Sequence, residues 1–225
     1  MRKMFESIKA IKIKDYWVFL VYFLLIAIAG VVGDQVSKVV VQNTLPFEET
    51  VPLFPAWPDF KVIELFYTLN KGAAWGFGGG TDFTRILLTI VSWLVALGLP
   101  VYIVYMMAKH KKINVFLGIA MALVWGGDIG NLIDRTFFYD RGVVDFLSIT
   151  SWWKGFGIFN IADSCLVIGL FIVLGYIIYE SIKEAIENNK KRQNKINSTT
   201  ENKDIKEEPK VEEITKDEKK NNHVH

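Results

Sequence analysis

FNIADSCLVIGLFIVLGYIIY, residues 159–179, decides how this chain is to be read. The stretch is almost wholly apolar and about as long as the roughly 20 residues a helix needs to cross a bilayer. Yet Asp163 stands near its front edge, just behind Asn160. A carboxylate beside hydrocarbon is expensive, and such residues mark functional sites by default.

Three further apolar runs, at 16–41, 84–107 and 113–133, have the length of helical spans. The 225 residues are 51% hydrophobic and 14% aromatic, with a mean hydropathy of +0.26. These values and the clustering of the apolar residues point to lipid as the solvent. The N-terminus is basic and then apolar, as a signal peptide is, but the run at 17–32 is long and no small-residue cleavage site closes it, so it reads as a retained first span. The expected fold is an all-α membrane protein, a four-helix transmembrane bundle. Residues 1–15 form a basic N-terminus, 16–180 the four-span domain, and 181–225 a charged tail expected to be disordered, because from about 188 it has too few apolar residues to bury a core.

Net charge is only +2, so the distribution of charge carries the information. Arg2, Lys3, Lys9, Lys12 and Lys14 precede the first span, Lys109, Lys111 and Lys112 lie in the short link at 109–112, and Lys183, Lys190, Lys191, Arg192 and Lys195 follow the fourth span. The links at 43–83 and 136–160 carry two cations each: Lys61 and Lys71, then Arg141 and Lys154. The positive-inside rule therefore puts both termini in the cytoplasm and the two longer links outside. The outer link 43–83 holds Pro46, Pro52, Pro55 and Pro58, the alternating run KVIELFYTL (61–69) and NKGAAWGFGGG (70–80). It reads as a small β-like or irregular extracytoplasmic subdomain between the first two helices. Trp57, Trp75, Trp152 and Trp153 all fall in outer links, where aromatic belts sit.

On this topology the polar residues gather at one level. Asp34 and Lys38 end the first span. Asn70 lies in the outer link, and Asn131, Asp134 and Arg135 end the third span. Asp145 follows in VVDF (143–146), and Asn160 and Asp163 open the fourth span. The histidines, His110, His223 and His225, fall on the other side or in the tail, which removes histidine-dependent nucleophiles and histidine-ligated zinc. The single cysteine, Cys165, excludes an intramolecular disulfide and reads as a small core hydrophobe. Ser37 and Lys38 are adjacent, but helix neighbours point roughly 100° apart, against a Ser–Lys dyad. Carboxylates remain. Two held close and partly desolvated share a proton, so that one acts as base and the other as acid. Asp163, at a helix N-terminus, suits the base because the helix dipole there favours an anion.

Plainer readings stand beside these. Asp163 can be a helix-terminal charge only, and Asp134 next to Arg135 reads first as a structural ion pair. Lys38 either snorkels to the headgroups or pairs with a carboxylate. Asn70 and Gly72 can simply build a turn, the glycines Gly76, Gly78, Gly79 and Gly80 read as a flexible link, and Gly126, Gly127 and Gly130 read as small residues for close helix packing.

Five segments, in order, resemble the motifs of bacterial lipoprotein signal peptidases (signal peptidase II): GDQVSK (33–38), NKGAAWG (70–76), GGDIGNLIDR (126–135), VVDF (143–146) and FNIADS (159–164). The resemblance spans about 16–180. It implies an aspartyl endopeptidase of the bacterial cytoplasmic membrane that needs no cofactor or metal and is sensitive to the cyclic peptide globomycin. It removes signal peptides from diacylglyceryl-modified prolipoproteins, cutting before the lipidated cysteine at the outer leaflet. By motif position the catalytic pair is Asp145 and Asp163. Asp34, Lys38, Asn70, Gly72, Asn131, Asp134, Arg135 and Asn160 support the site or contact substrate, and Asp134 is the second choice as partner of Asp163. The expected partners are prolipoprotein and membrane lipid, not nucleic acid, and the expected state is a monomer. Two departures stand out: Trp75 replaces the commoner phenylalanine, and Asp128 stands where the family usually has a small residue. At helical spacing Asp128 shares a face with Asn131 and Arg135, so it either pairs with Arg135 or raises the pKa of the pair.

Two alternatives come from other classes. A proton-coupled transporter would use the carboxylates as a relay, but it should carry polar groups through the inner half of the spans too. A presenilin-type protease would show Gly-x-Gly-Asp, where this chain has WGGD (125–128).

Overall fold

The computed structural model describes residues 11–54, 62–72, 81–109, 112–149, 151, 153 and 155–207, with side chains to 194. Several residues singled out in the sequence lie outside this range: Arg2, Lys3 and Lys9, Lys61, Lys111, Lys154, Pro55 and Pro58, residues 73–80 with Trp75 and the glycine run, Trp57, Trp152, the three histidines and the end of the tail.

A 3-10 turn at Ile13–Asp15 leads into α1 (Trp17–Thr44). The others are α2 (Asp82–Ala108), α3 (Val115–Phe137) and α4 (Ile161–Glu207), separated by β1 (Thr50–Pro52), β2 (Glu64–Asn70) and β3 (Val143–Ser148). The starts of α2 and α3 follow the usual capping chemistry: Thr81 Oγ1 accepts from the Thr84 N–H at 3.3 Å and Asn114 Oδ1 from the Phe116 N–H at 2.8 Å. All four helices are long and apolar enough to cross a membrane.

Two compact units divide the chain at Tyr176. In the first, α3 is the central helix. Eleven of its residues are buried, against six in α1 and six in α2. Its glycines explain how neighbours come so close. A Cβ at Gly126 would lie 2.8 Å from the Ala27 carbonyl oxygen of α1, and one at Gly127 would lie 2.5 Å from the Ala162 carbonyl oxygen of α4. By contrast, the outward faces carry large apolar side chains in the open, among them Leu25, Leu94 and Phe171, as lipid-facing surfaces do. At one end of the bundle Phe19, Phe23, Ile103, Met107, Met121 and Ala122 form an apolar core.

At the other end sits a three-stranded antiparallel sheet in the order β1-β2-β3. Its third strand comes from the link between α3 and α4, so the subdomain is built from both longer links and not only from the one between the first two helices. The reason it was not foreseen is physical. β3 is buried on both faces, so VVDFLS shows none of the apolar–polar alternation by which a half-exposed strand is known. Val144 and Phe146 of β3 pack with Val41 of α1 and Ile161 of α4, fastening the sheet to the helix ends.

In the second unit, 177–225, the segment expected to be disordered from 181 is helical to Glu207. Here Glu, Lys and Arg are good helix formers, and Glu180 and Lys183 approach to 4.0 Å one turn apart.

Candidate active site

The site is built where α1, α3, α4 and the sheet meet. β2 and β3 run antiparallel with Asn70 opposite Val143. Asn70 therefore lies diagonally across from Asp145 on one face of the sheet, within reach of its carboxylate. Its amide donates to Asp145 Oδ2 at 2.9 Å while its Oδ1 accepts the Gly72 N–H at 2.9 Å. Asn70 and Gly72 thus do build a turn, and the turn aims the amide. Gly142, just before β3, has φ of +90°, and a Cβ there would lie 2.8 Å from the Asn70 carbonyl oxygen. Only glycine fits that corner without strain.

Next along the chain, Phe159 pairs with Leu147 of β3 through two backbone hydrogen bonds, which ties the segment before α4 to the sheet. Asn160 is thereby set at the mouth of α4, fully buried. It touches both acids. Its amide nitrogen donates to Asp145 Oδ1 at 2.7 Å and to Asn131 Oδ1 at 3.0 Å, and its backbone N–H donates to Asp163 Oδ2 at 3.2 Å. In return its Oδ1 accepts the Asp163 N–H at 2.9 Å. Asn131 completes the set, donating to Asp163 Oδ1 at 2.7 Å. Every oxygen of Asp145 and Asp163 therefore has one neutral amide donor, and no cation lies within ion-pair distance of either among the described residues.

The two carboxylates line one cavity of about 110 Å³ with Asn70, Gly72, Arg135, Val143 and Phe156. Burial, with the neighbouring Asp163 second, pushes Asp145 up to about 7, against the opposing effect of the Asn70 and Asn160 amides and Lys38.

Behind this pair lies a second cluster of a different kind. Lys38 is 2% exposed, and its ammonium is spent on three acceptors: Asp34 Oδ2 at 2.7 Å, Asp134 Oδ2 at 2.9 Å and Asn131 Oδ1 at 3.1 Å. Of the two readings of Lys38, pairing is the one realised. With all three donors used it offers no base, and the Ser37 hydroxyl donates to the Asp34 backbone carbonyl at 2.8 Å, so no Ser–Lys dyad exists. Facing the ammonium also fixes which way the Asn131 amide points, since only its oxygen can accept there. Asp34 further accepts the Ala162 N–H at 2.9 Å, joining α1 to the first turn of α4.

The expected Asp134–Arg135 pair does not form. Asp134 binds Lys38 and, at 2.8 Å, Arg141. Adjacent residues on a helix point apart, the same rule that separated Ser37 from Lys38. Asp134 is thus fully engaged and is not available as a partner for Asp163. Arg135 turns instead toward α2, where it donates to Ser92 Oγ at 3.3 Å, and it lines the cavity. Sequence reading missed Arg141 as a clamp, although it is one of two cations in an otherwise cation-poor link. Ser92 carried no signal in its own sequence neighbourhood.

The family model described as signal peptidase (SPase) II matches residues 26–179. The chain belongs to the signal peptidase II family. The lipoprotein signal peptidase of Staphylococcus aureus (strain MRSA252) is 33% identical over 151 residues, 67% of this chain and 84% of that protein. Two solved structures titled as bacterial membrane enzymes, determined by the in meso method at 2.3 and 1.9 Å resolution, are each 29% identical. The first has a TM-score of 0.59 and covers 71% of this chain and 89% of its own. The second has a TM-score of 0.56 and covers 69% and 92%. As a signal peptidase II, the chain is a peptidase and a multi-pass membrane protein. The site lies wholly within the matched range. The buried ionisable side chains among the described residues, Asp34, Lys38, Asp128, Asp134 and Asp145, all belong to the sheet-side half, which leaves the transporter reading without a relay across the bundle.

Proposed function

We propose that this signal peptidase II hydrolyses the bond before the lipidated cysteine of diacylglyceryl-modified prolipoproteins, with Asp145 and Asp163 as its catalytic pair. The observation that carries the reading is the environment of the two acids. They face one cavity, are joined through Asn160, and receive only neutral amide donors, so nothing forces both to stay ionised. Asp163 takes a proton from a water, whose oxygen attacks the scissile carbonyl. Asp145, with its carboxyl up at about 7, gives its proton to the carbonyl oxygen. The tetrahedral diol then collapses: the C–N bond breaks, the proton held by Asp163 goes to the leaving nitrogen, and a diol hydroxyl returns its proton to Asp145. Asn70, Asn131 and Asn160 hold the acids in place, and Asp34, Lys38 and Asp134 hold the asparagines. Arg135 and Gly72 line the cavity that would receive the peptide.

In this reading both termini are cytoplasmic and the site lies at the outer leaflet, where the cleavage point of a lipidated signal helix also lies. The acyl chains rest against apolar helix faces, and the protein acts as a monomer. The test is cleavage of a diacylglyceryl-modified prolipoprotein by the purified protein, beside Asp145→Asn and Asp163→Asn. Wild type cleaves, and each variant folds but loses nearly all turnover. Full activity in either variant refutes that residue's role. Equal cleavage of the unmodified precursor refutes the lipid requirement.

A further inference from the structure

Among the described residues, Asp128 is the one buried acid that the catalytic reading leaves without a task. It is 6% exposed, its Oδ2 has no hydrogen-bond partner, and its carboxyl faces the Ser92 hydroxyl and the Arg135 guanidinium. Geometry explains the encounter. Seven residues, about 10.5 Å of helix rise, separate Asp128 from Arg135, which keeps both on the face of α3 that also carries Asn131. Helical side chains lean toward the N-terminus, so the long Arg135 side chain reaches back toward Asp128. Trp125 Nε1 of α3 donates to the Ala96 carbonyl of the facing helix α2 at 2.9 Å, which sets α2 against α3 in a register that brings Ser92, one turn from Ala96, to the same place. Arg135 donates to that serine.

Arg135 thus stands between acids on two sides. On one side are Asp145 and Asp163 across the cavity, and on the other is Asp128. We propose that Asp128 is a positioning residue for Arg135: with Ser92 it draws the guanidinium back from the cavity and balances its charge, so that Asp145 and Asp163 keep their shared proton. This rests on the catalytic reading above. The other charged groups around the pair are already paired or remote. Asp34 and Lys38 of α1, Asp134 of α3 and Arg141 neutralise one another. Arg85 of α2 binds Asp82 and the Tyr139 carbonyl, and Lys71 is exposed at the rim of an adjoining cavity. Lys38 also acts on the pair but is held in place by Asp34 and Asp134, so Arg135 is the cation that Asp128 can position, and Asp128 is its counter-charge.

The experiment is the pH dependence of the full chain in detergent, read twice: as the rate of prolipoprotein cleavage and as thermal unfolding, which needs no substrate. In Asp128→Asn, which keeps the shape and removes the charge, Arg135 is released toward the pair. The pH at which rate is lost, and the pH at which Asp145 ionisation weakens the fold, both move down by roughly one unit. Asp128→Glu keeps the wild-type midpoints. Should the asparagine variant not fold, Ser92→Ala removes the anchor while keeping every charge and moves the midpoints in the same direction. Midpoints that stay at the wild-type pH overturn the proposal, even if rate or stability falls, because a merely structural role lowers both without moving them. Wild type that fails to cleave while the unfolding midpoints still shift removes the catalytic reading and leaves the Arg135 positioning intact.

Discussion

Two aspartate clusters lie side by side in this bundle and are held in opposite ways. Asp34 and Asp134 are buried against Lys38 and Arg141. Asp145 and Asp163 are held by asparagine amides and one backbone N–H. The residue type is the same, and so is the depth of burial for Asp34, Asp134 and Asp145. The difference is the donor. A cation offsets the lost hydration of a carboxylate and fixes its charge, which makes it a strut. An amide orients the carboxylate but leaves the charge only partly compensated, which makes it available for proton transfer.

The comparison is broken most directly by removing one member of each cluster. Asp145→Asn or Asp163→Asn lowers kcat by about 10³-fold or more, within the range that proton transfer supplies, while the thermal transition stays in place or rises. The double variant is little worse than either single, because the pair works as a unit. Lys38→Met does the reverse. It strands two buried carboxylates and destabilises the fold by about 3–5 kcal/mol, seen as a loss of thermal stability in detergent before any kinetic effect is measured.

Smaller changes sharpen it. Asn70→Ala removes one donor from Asp145 and costs about 1.5–3 kcal/mol of activity, a tenfold to hundredfold loss of kcat/KM. The same amide favours the ionised form, so the variant is expected to keep activity to higher pH than wild type, as a pH–rate series of the two measures. The corresponding stability effect has a definite sign. Asp145 is held above its unfolded value of 3.8, so the native state carries the extra proton between about 4 and 7, and stability falls as pH rises through that window. Asp145→Asn flattens the slope, which a series of unfolding curves from pH 4 to 8 measures. The smallest effect is at Gly142→Ala: strain at φ of +90° and the contact with Asn70 cost about 1–3 kcal/mol of stability.

How much of this was legible in the sequence follows from what each signal depends on. Spans show in length and apolarity, so four helices could be counted. Asp34, Lys38, Asn70, Asn131, Asp134, Asp145, Asn160 and Asp163 form one connected network because topology alone brings those chain segments to one end. Pairing was less legible. Asp134 was assigned to its sequence neighbour, whereas its partners stand 96 residues before it and 7 after it. β3 was missed because burial on both faces erases alternation. The helical continuation to Glu207 was missed because low apolarity was read as disorder, although charged residues with good helix propensity sustain a helix.

Asn160 grips Asp145 with its side chain and Asp163 with its main chain. The spacing of the two acids is therefore written into the dimensions of a single amino acid. A displacement of β3 against the first turn of α4 has to break one of these two Asn160 bonds before it can change the distance between the carboxyl groups.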